Sequence, residues 1–175
     1  MQSIKIILAC LISDIFYGIL HDQFTAYICV EYFSVFHPPV FNTESPFLLA
    51  LGWGVLATWW MGAFLGVLLA LSSRAGSRRK TAVAELVRPI MKLLVAMACA
   101  AFAAGCLGYA LSRSGAIAPP EPIASVLPQS RHARFMADWW AHKASYFVGF
   151  FGGMVLCVIT FRKRRRALSA LETGR

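Results

Sequence analysis

Residues Phe47–Ser72 read FLLALGWGVLATWWMGAFLGVLLALS and contain no charged side chain. A helix needs about 20 mostly apolar residues to cross the roughly 30 Å hydrocarbon core of a bilayer, so this stretch is long enough to span one. The rest of the chain has the same character, because 58% of its 175 residues are hydrophobic and only 14% are charged. Ordinary soluble domains carry about 25% charged residues. The composition therefore predicts an integral membrane protein.

Three further apolar stretches predict spans on either side of this one. Together the four predicted spans cover about 4–20, 47–72, 90–111 and 138–161. The first is the shortest, and it carries Asp14. The apolar run before Cys10 is shorter than the hydrophobic region of a signal peptide, so we interpret residues 4–20 as a membrane span. The predicted fold is an all-α bundle of four transmembrane helices, which forms a single membrane domain over residues 1–175.

The predicted connections lie on two sides of the membrane. The outer segments are 21–46 and 112–137, the inner loop is 73–89, and a basic inner tail covers 162–175. The stretch 24–36 is too apolar for a solvated loop, so it predicts an additional outer helix that either extends the first span or lies in the membrane interface. The second outer segment contains four prolines, which predict an irregular loop.

The distribution of lysine and arginine predicts the orientation. The inner loop and both ends of the chain carry most of these residues, including the run Arg162–Arg166. Cytoplasmic loops are enriched in lysine and arginine, so both termini are expected in the cytoplasm, with a bacterial plasma membrane, the cell inner membrane, as the simplest location. Anionic lipid headgroups then account for the net charge of +9, and no nucleic-acid partner is needed to explain it.

Pairs of small residues four positions apart predict where the helices contact one another. Such pairs let two helix backbones approach closely inside a membrane. The pairs are Gly62 with Gly66, Ala101 with Gly105, and Gly149 with Gly153.

All four histidines lie near carboxylates at the predicted outer end of the bundle. Ionisable side chains near hydrocarbon cost free energy, and those that persist there usually mark a functional site. Asp138 and His142 are four residues apart, so one helix face presents both. Imidazole and carboxylate ligands together suit zinc, iron or manganese. With Asp22 nearby, we predict a metal site whose ligands are His21, Glu31, His37, His132, Asp138 and His142.

The cysteines do not extend this site. The five cysteines include no Cys-x-x-Cys pair, and copper typically recruits sulfur, so iron, zinc or manganese is favoured over copper. A bis-histidine haem is a less favoured alternative, since the chain has no haem-attachment motif. Asp14 and Tyr17 share a helix face with His21, which predicts a proton or ion path leading inward. The alternative is that Asp14 only hydrogen-bonds a neighbouring helix.

Two classes of function are compatible with these features. A metal-dependent membrane protein would use the cluster for redox chemistry or for ion handling. A non-catalytic membrane subunit would use its polar outer segments to dock a partner protein or a second copy of the chain, and the histidines would then make interface hydrogen bonds. The clustering of polar groups favours the first class. The small size favours the second, because four spans leave little room for a substrate pocket.

Overall fold

The computed structural model describes the backbone of residues 1–76 and 79–173 and the side chains as far as Arg165. Every regular element within these residues is helical. In chain order, α1 covers Gln2–Ile28, a π-helical turn covers Tyr32–Phe36, α2 covers Pro46–Leu56, α3 covers Trp59–Arg74, α4 covers Val83–Arg113, α5 covers Ile123–Val126 and α6 covers Gln129–Thr173.

Four segments of this structure are long and apolar enough to cross a membrane. They are α1, α2 together with α3, α4, and the part of α6 over Gln129–Arg165. The predicted all-helical fold with four candidate spans is thus confirmed. The outer surface of the bundle carries large exposed apolar side chains, among them Phe16, Phe102 and Phe147. Apolar surfaces of this extent are rare on soluble monomers and are compatible with lipid.

The first helix is longer than the predicted span 4–20, since it continues to Ile28. The apolar stretch 24–36 is therefore divided, with its first part extending α1 and its last part forming the π-helical turn. Tyr32 and Phe33 of that turn are buried. Of the two predicted alternatives, the structure has extension of the first span for residues 24–28, whereas Phe24, Tyr27 and Phe36 remain exposed on the surface.

Two other helices also begin earlier in the sequence than the predicted spans. Helix α4 begins at Val83 inside the predicted inner loop 73–89, and Glu85 in its first turn accepts a hydrogen bond from the backbone N–H of Ala82. Helix α6 begins at Gln129, inside the predicted outer segment 112–137, and the short α5 precedes it. An apolar run predicts only the part of a helix that suits hydrocarbon. The helix itself continues into polar residues, whose side chains can form hydrogen bonds with the backbone groups at its end.

The second span is interrupted between α2 and α3, where α1 crosses it closely. A Cβ atom on Gly54 would lie 2.6 Å from the backbone of Ile19, and one on Gly18 would lie 2.6 Å from the carbonyl oxygen of Gly54. Thr58 donates its side-chain hydroxyl to that same carbonyl at 2.6 Å. Only glycine fits this crossing, which fixes the height of α1 against α2.

The predicted small-residue pairs lie at helix contacts. A Cβ atom on Gly62 would lie 2.8 Å from the Cβ of Asp14 in α1, so α1 and α3 meet there. A Cβ atom on Gly149 of α6 would lie 3.0 Å from the terminal methyl of Met97 in α4. Close backbone approach of this kind packs the four spans around a shared interior, where the polar residues of α1 and α6 come together.

Candidate metal centre

Helices α1 and α6 bring two histidines and one carboxylate together inside the bundle. His21 and Asp22 lie on α1 and His142 lies on α6, and one ligand atom from each is within 4.8 Å of the others. The closest pair is Nε2 of His142 and Oδ1 of Asp22, at 3.2 Å. In the part of the chain that the structure describes, this is the only group of three His, Cys, Asp or Glu residues with such spacing.

The ring of His142 is held in the tautomer that a metal ligand needs. Its Nδ1 donates a hydrogen bond to the backbone carbonyl of Asp138 at 2.8 Å. With the proton on Nδ1, a neutral imidazole carries its lone pair on Nε2, the atom that faces Asp22. Histidines that bind metals commonly donate their other ring nitrogen to a carbonyl or carboxylate in this way. Without a metal ion, the contact with Asp22 requires a proton on one of the two groups.

His21 supplies a second nitrogen to the same space. Its ring and that of His142 meet edge to face, with centroids 4.6 Å apart. Nε2 of His21 is buried and has no hydrogen-bond partner among the described residues. An unpaired polar atom in the interior costs free energy, and a bound cation would satisfy it. The donor set of two imidazoles and one carboxylate therefore fits a transition-metal ion.

Aromatic rings enclose the two imidazoles. Tyr32 stacks on His142 with centroids 4.4 Å apart, and Phe33 meets the same ring from another side at 5.7 Å. Tyr17 stacks on His21 at 5.8 Å. These rings come from α1 and from the π-helical turn, so the turn forms one wall of the site. They pack against both imidazoles and restrict the rotation of the two rings.

A cavity continues from the three residues into the bundle. Asp14 and Tyr17, the residues of the predicted path, line the same cavity as the candidate ligands. The hydroxyl of Tyr17 lies 2.8 Å from that of Ser145 on α6, within hydrogen-bond distance. Proton-bearing side chains thus extend from the candidate metal centre toward the middle of α1.

His37 lines the cavity but lies outside the group of three. Its Nδ1 donates to the backbone carbonyl of Tyr32 at 2.7 Å, and its ring packs on Trp53 with centroids 4.5 Å apart. The hydrogen bond fixes this ring as it fixes that of His142, and it leaves the lone pair of the neutral ring on Nε2.

The protonation of His37 is expected to make stability depend on pH. Burial lowers the pKa of His37 below its usual value, and the hydrogen bond to Tyr32 opposes this only in part. Below about pH 6.5 the unfolded chain binds this proton more readily, so the free energy of unfolding falls as the pH drops from there to the folded pKa. His37→Gln should therefore lose less stability than the wild type between about pH 7.5 and 5.5, as measured by denaturant unfolding in detergent. An equal loss in both proteins would contradict this assignment.

Two predicted ligands are engaged elsewhere. Glu31 pairs with Arg131 at 3.1 Å and accepts a hydrogen bond from the thiol of Cys29 at 3.3 Å. Burial raises the pKa of Cys29 to about 12, which keeps that thiol protonated. His132 lies with Nε2 3.1 Å from the backbone carbonyl of Leu127. Because α1 ends at Ile28 and the chain turns, Glu31 faces the start of α6 and not the metal centre.

The carboxylate beside His142 comes from Asp22. Asp22 was predicted from the sequence as a neighbour of the site but not as one of its ligands. The spacing of Asp138 and His142 brings only the backbone carbonyl of Asp138 to the imidazole. The side chain of Asp138 is fully buried, and neither of its oxygens has a hydrogen-bond partner within the described residues. The position of Asp22 directly next to His21 in the sequence is the signal that would have included it.

Comparison of the chain with models of known families, with curated proteins and with solved structures found no match. The functional conclusion therefore depends on the geometry of the candidate metal centre, its cavity and the four candidate spans.

Proposed function

We propose that this protein is a polytopic membrane protein that binds one transition-metal ion at His21, Asp22 and His142. The observation that carries the proposal is the approach of their three ligand atoms to within 4.8 Å, two of them on residues that are buried. Mixed nitrogen and oxygen ligation suits iron, zinc or manganese. Three protein ligands leave one position open, which is typical of metal sites that act on a bound molecule. Redox chemistry or ion handling follows from such a site.

The proposed location is a bacterial plasma membrane, with both termini in the cytoplasm. The lysine and arginine distribution supports this orientation. The metal centre then lies toward the extracytoplasmic end of the bundle, where α1 ends and α6 begins. In this arrangement Asp14 and Tyr17 take up or release protons on the side of the metal centre nearer the cytoplasm, because proton exchange accompanies metal binding and redox change.

Elemental analysis tests the proposal. The full chain is purified in mild detergent without a histidine tag, beside Asp22→Ala/His142→Ala and the control His132→Ala. We expect close to one iron, zinc or manganese ion per wild-type chain and per control chain. The double variant should bind the metal at least about 100-fold more weakly, since it lacks two of three ligands.

Equal metal content in the double variant would refute the proposed ligands. No metal in any of the three proteins would refute the function itself and favour the docking of a partner protein or a second copy of the chain. Size-exclusion chromatography of each variant shows whether it remains folded.

A further inference from the structure

The cavity that contains the candidate metal centre is much longer than a metal site requires. Along α6 it is lined from His142 to Leu156, and along α1 from Asp22 to Cys10. At a rise of 1.5 Å per residue, each of these stretches is roughly 20 Å long. The cavity therefore follows most of the length of the candidate spans.

The lining changes from polar to apolar along this length. At one end lie the imidazoles, the carboxylate of Asp22 and the hydroxyl of Tyr17. The other end is lined by Leu65, Leu69, Ile90, Leu93, Leu94 and Leu156. A water molecule needs two to four polar partners to be stable inside a protein, and these side chains supply none. The apolar end thus suits hydrocarbon and not a column of water.

Glycines at helix contacts form part of the cavity lining. Gly62 of α3 and Gly149 and Gly153 of α6 line it, so helix backbone forms part of the wall. Opposite Gly149 lies the flexible side chain of Met97, which can shift to accommodate an occupant. A long passage with one polar end, enclosed by four helices, matches a molecule with a single chain.

We infer that the cavity binds a lipid-soluble molecule made of one hydrocarbon chain and an oxygen-bearing head, such as a long-chain fatty acid or a prenylated quinone. The chain occupies the apolar end and the head lies at the metal centre. The position of the head rests on the proposed function, whereas the position of the chain depends only on the lining. Tyr17, Ser145 and His37 line the cavity around the candidate ligands and offer hydrogen-bonding groups to the head.

Binding of tritiated palmitate and of decylubiquinone to the full chain in detergent tests this inference. Gly149→Leu and Leu93→Phe fill the apolar end from two different helices. Val155→Phe is the control, because Val155 lies on α6 outside the cavity and is 56% exposed. We expect saturable wild-type binding of at least one probe, about tenfold or more weaker in both filling variants and unchanged in the control. Two variants from separate helices keep the test decisive if one of them fails to fold.

The two probes also show whether the head of the bound molecule is a quinone or a carboxylate. Tighter binding of decylubiquinone assigns a quinone, and tighter binding of palmitate assigns a carboxylate. No saturable binding of either probe, or equal binding by the filling variants, overturns the inference even where elemental analysis finds a metal. Probe binding that is lost in Gly149→Leu in a protein without metal supports the apolar site and refutes only the proposed metal function.

Discussion

Arg164→Ala is expected to lower the free energy of unfolding by about 3–5 kcal/mol. The side chain of Arg164 is only 1% exposed. Its guanidinium donates to three backbone carbonyls in and after the last turn of α3, those of Arg79 at 2.6 Å, Ser72 at 2.7 Å and Ala75 at 2.8 Å. Each bond to a charged group contributes roughly 1.5–3 kcal/mol. The net loss is smaller than their sum, because Ala75 and Arg79 are exposed and their carbonyls can bond water instead.

Reversible unfolding in mixed micelles of detergent and SDS measures this effect. Arg162→Ala is the matched control, because it removes the same charge from an exposed position of the same helix and should cost less than about 0.5 kcal/mol. Arg164→Lys should recover little, since an ammonium group cannot reproduce the three-way donation of a guanidinium. Equal destabilisation by the two alanine variants would show that charge, and not the hydrogen bonds, is responsible.

The role of Arg164 also shows what a charge pattern can and cannot predict. The run Arg162–Arg166 predicts a membrane orientation, and all five of its residues contribute equally to that pattern. Arg164 differs from its neighbours only because α6 turns it toward the end of α3. The direction in which the Arg164 side chain points depends on the packing of α6 against α3, two helices that are distant in the sequence. A local pattern of charge cannot predict it.

The helices themselves were predictable, because bilayer thickness sets the length of an apolar span. Their ends were not. Helix α1 continues through Asp22 to Ile28, and α6 begins at Gln129, since polar residues can continue a helix once its apolar part has formed. This extension of α1 determines the site, because it places His21 and Asp22 inside the bundle.

The group of His21, Asp22 and His142 was predictable only in part for a related reason. Spacing along one helix places His142 one turn after Asp138, and the contact found there is with the backbone carbonyl of Asp138. The meeting of His142 with Asp22 depends instead on the height of α1 relative to α6. Close contacts such as that between Gly18 and Gly54 help to set this height, and they are tertiary. The same limit applies to Glu31, because its pairing with Arg131 depends on where the chain turns after α1.

Adding metal to metal-free protein is expected to stabilise the fold through the same three residues. The unfolded chain does not hold three ligands in place, so binding to the folded state alone raises the free energy of unfolding. At a free metal concentration of about 1,000 times the dissociation constant, the gain is about 4 kcal/mol. Unfolding of chelator-treated protein with and without zinc, iron or manganese measures it. His142→Ala should lose most of the gain, and a full gain in that variant would place the metal elsewhere.

Two further histidine variants test which histidines contribute to the stabilisation by metal. His132→Ala should keep the whole gain, because that ring lies against the carbonyl of Leu127 and not in the metal centre. His37→Ala tests whether the fourth metal position is open. Because His37 lies outside the group of three ligand atoms, we expect this variant to retain most of the stabilisation. A loss as large as that of His142→Ala would make His37 a fourth ligand and close the position at which a substrate head would bind.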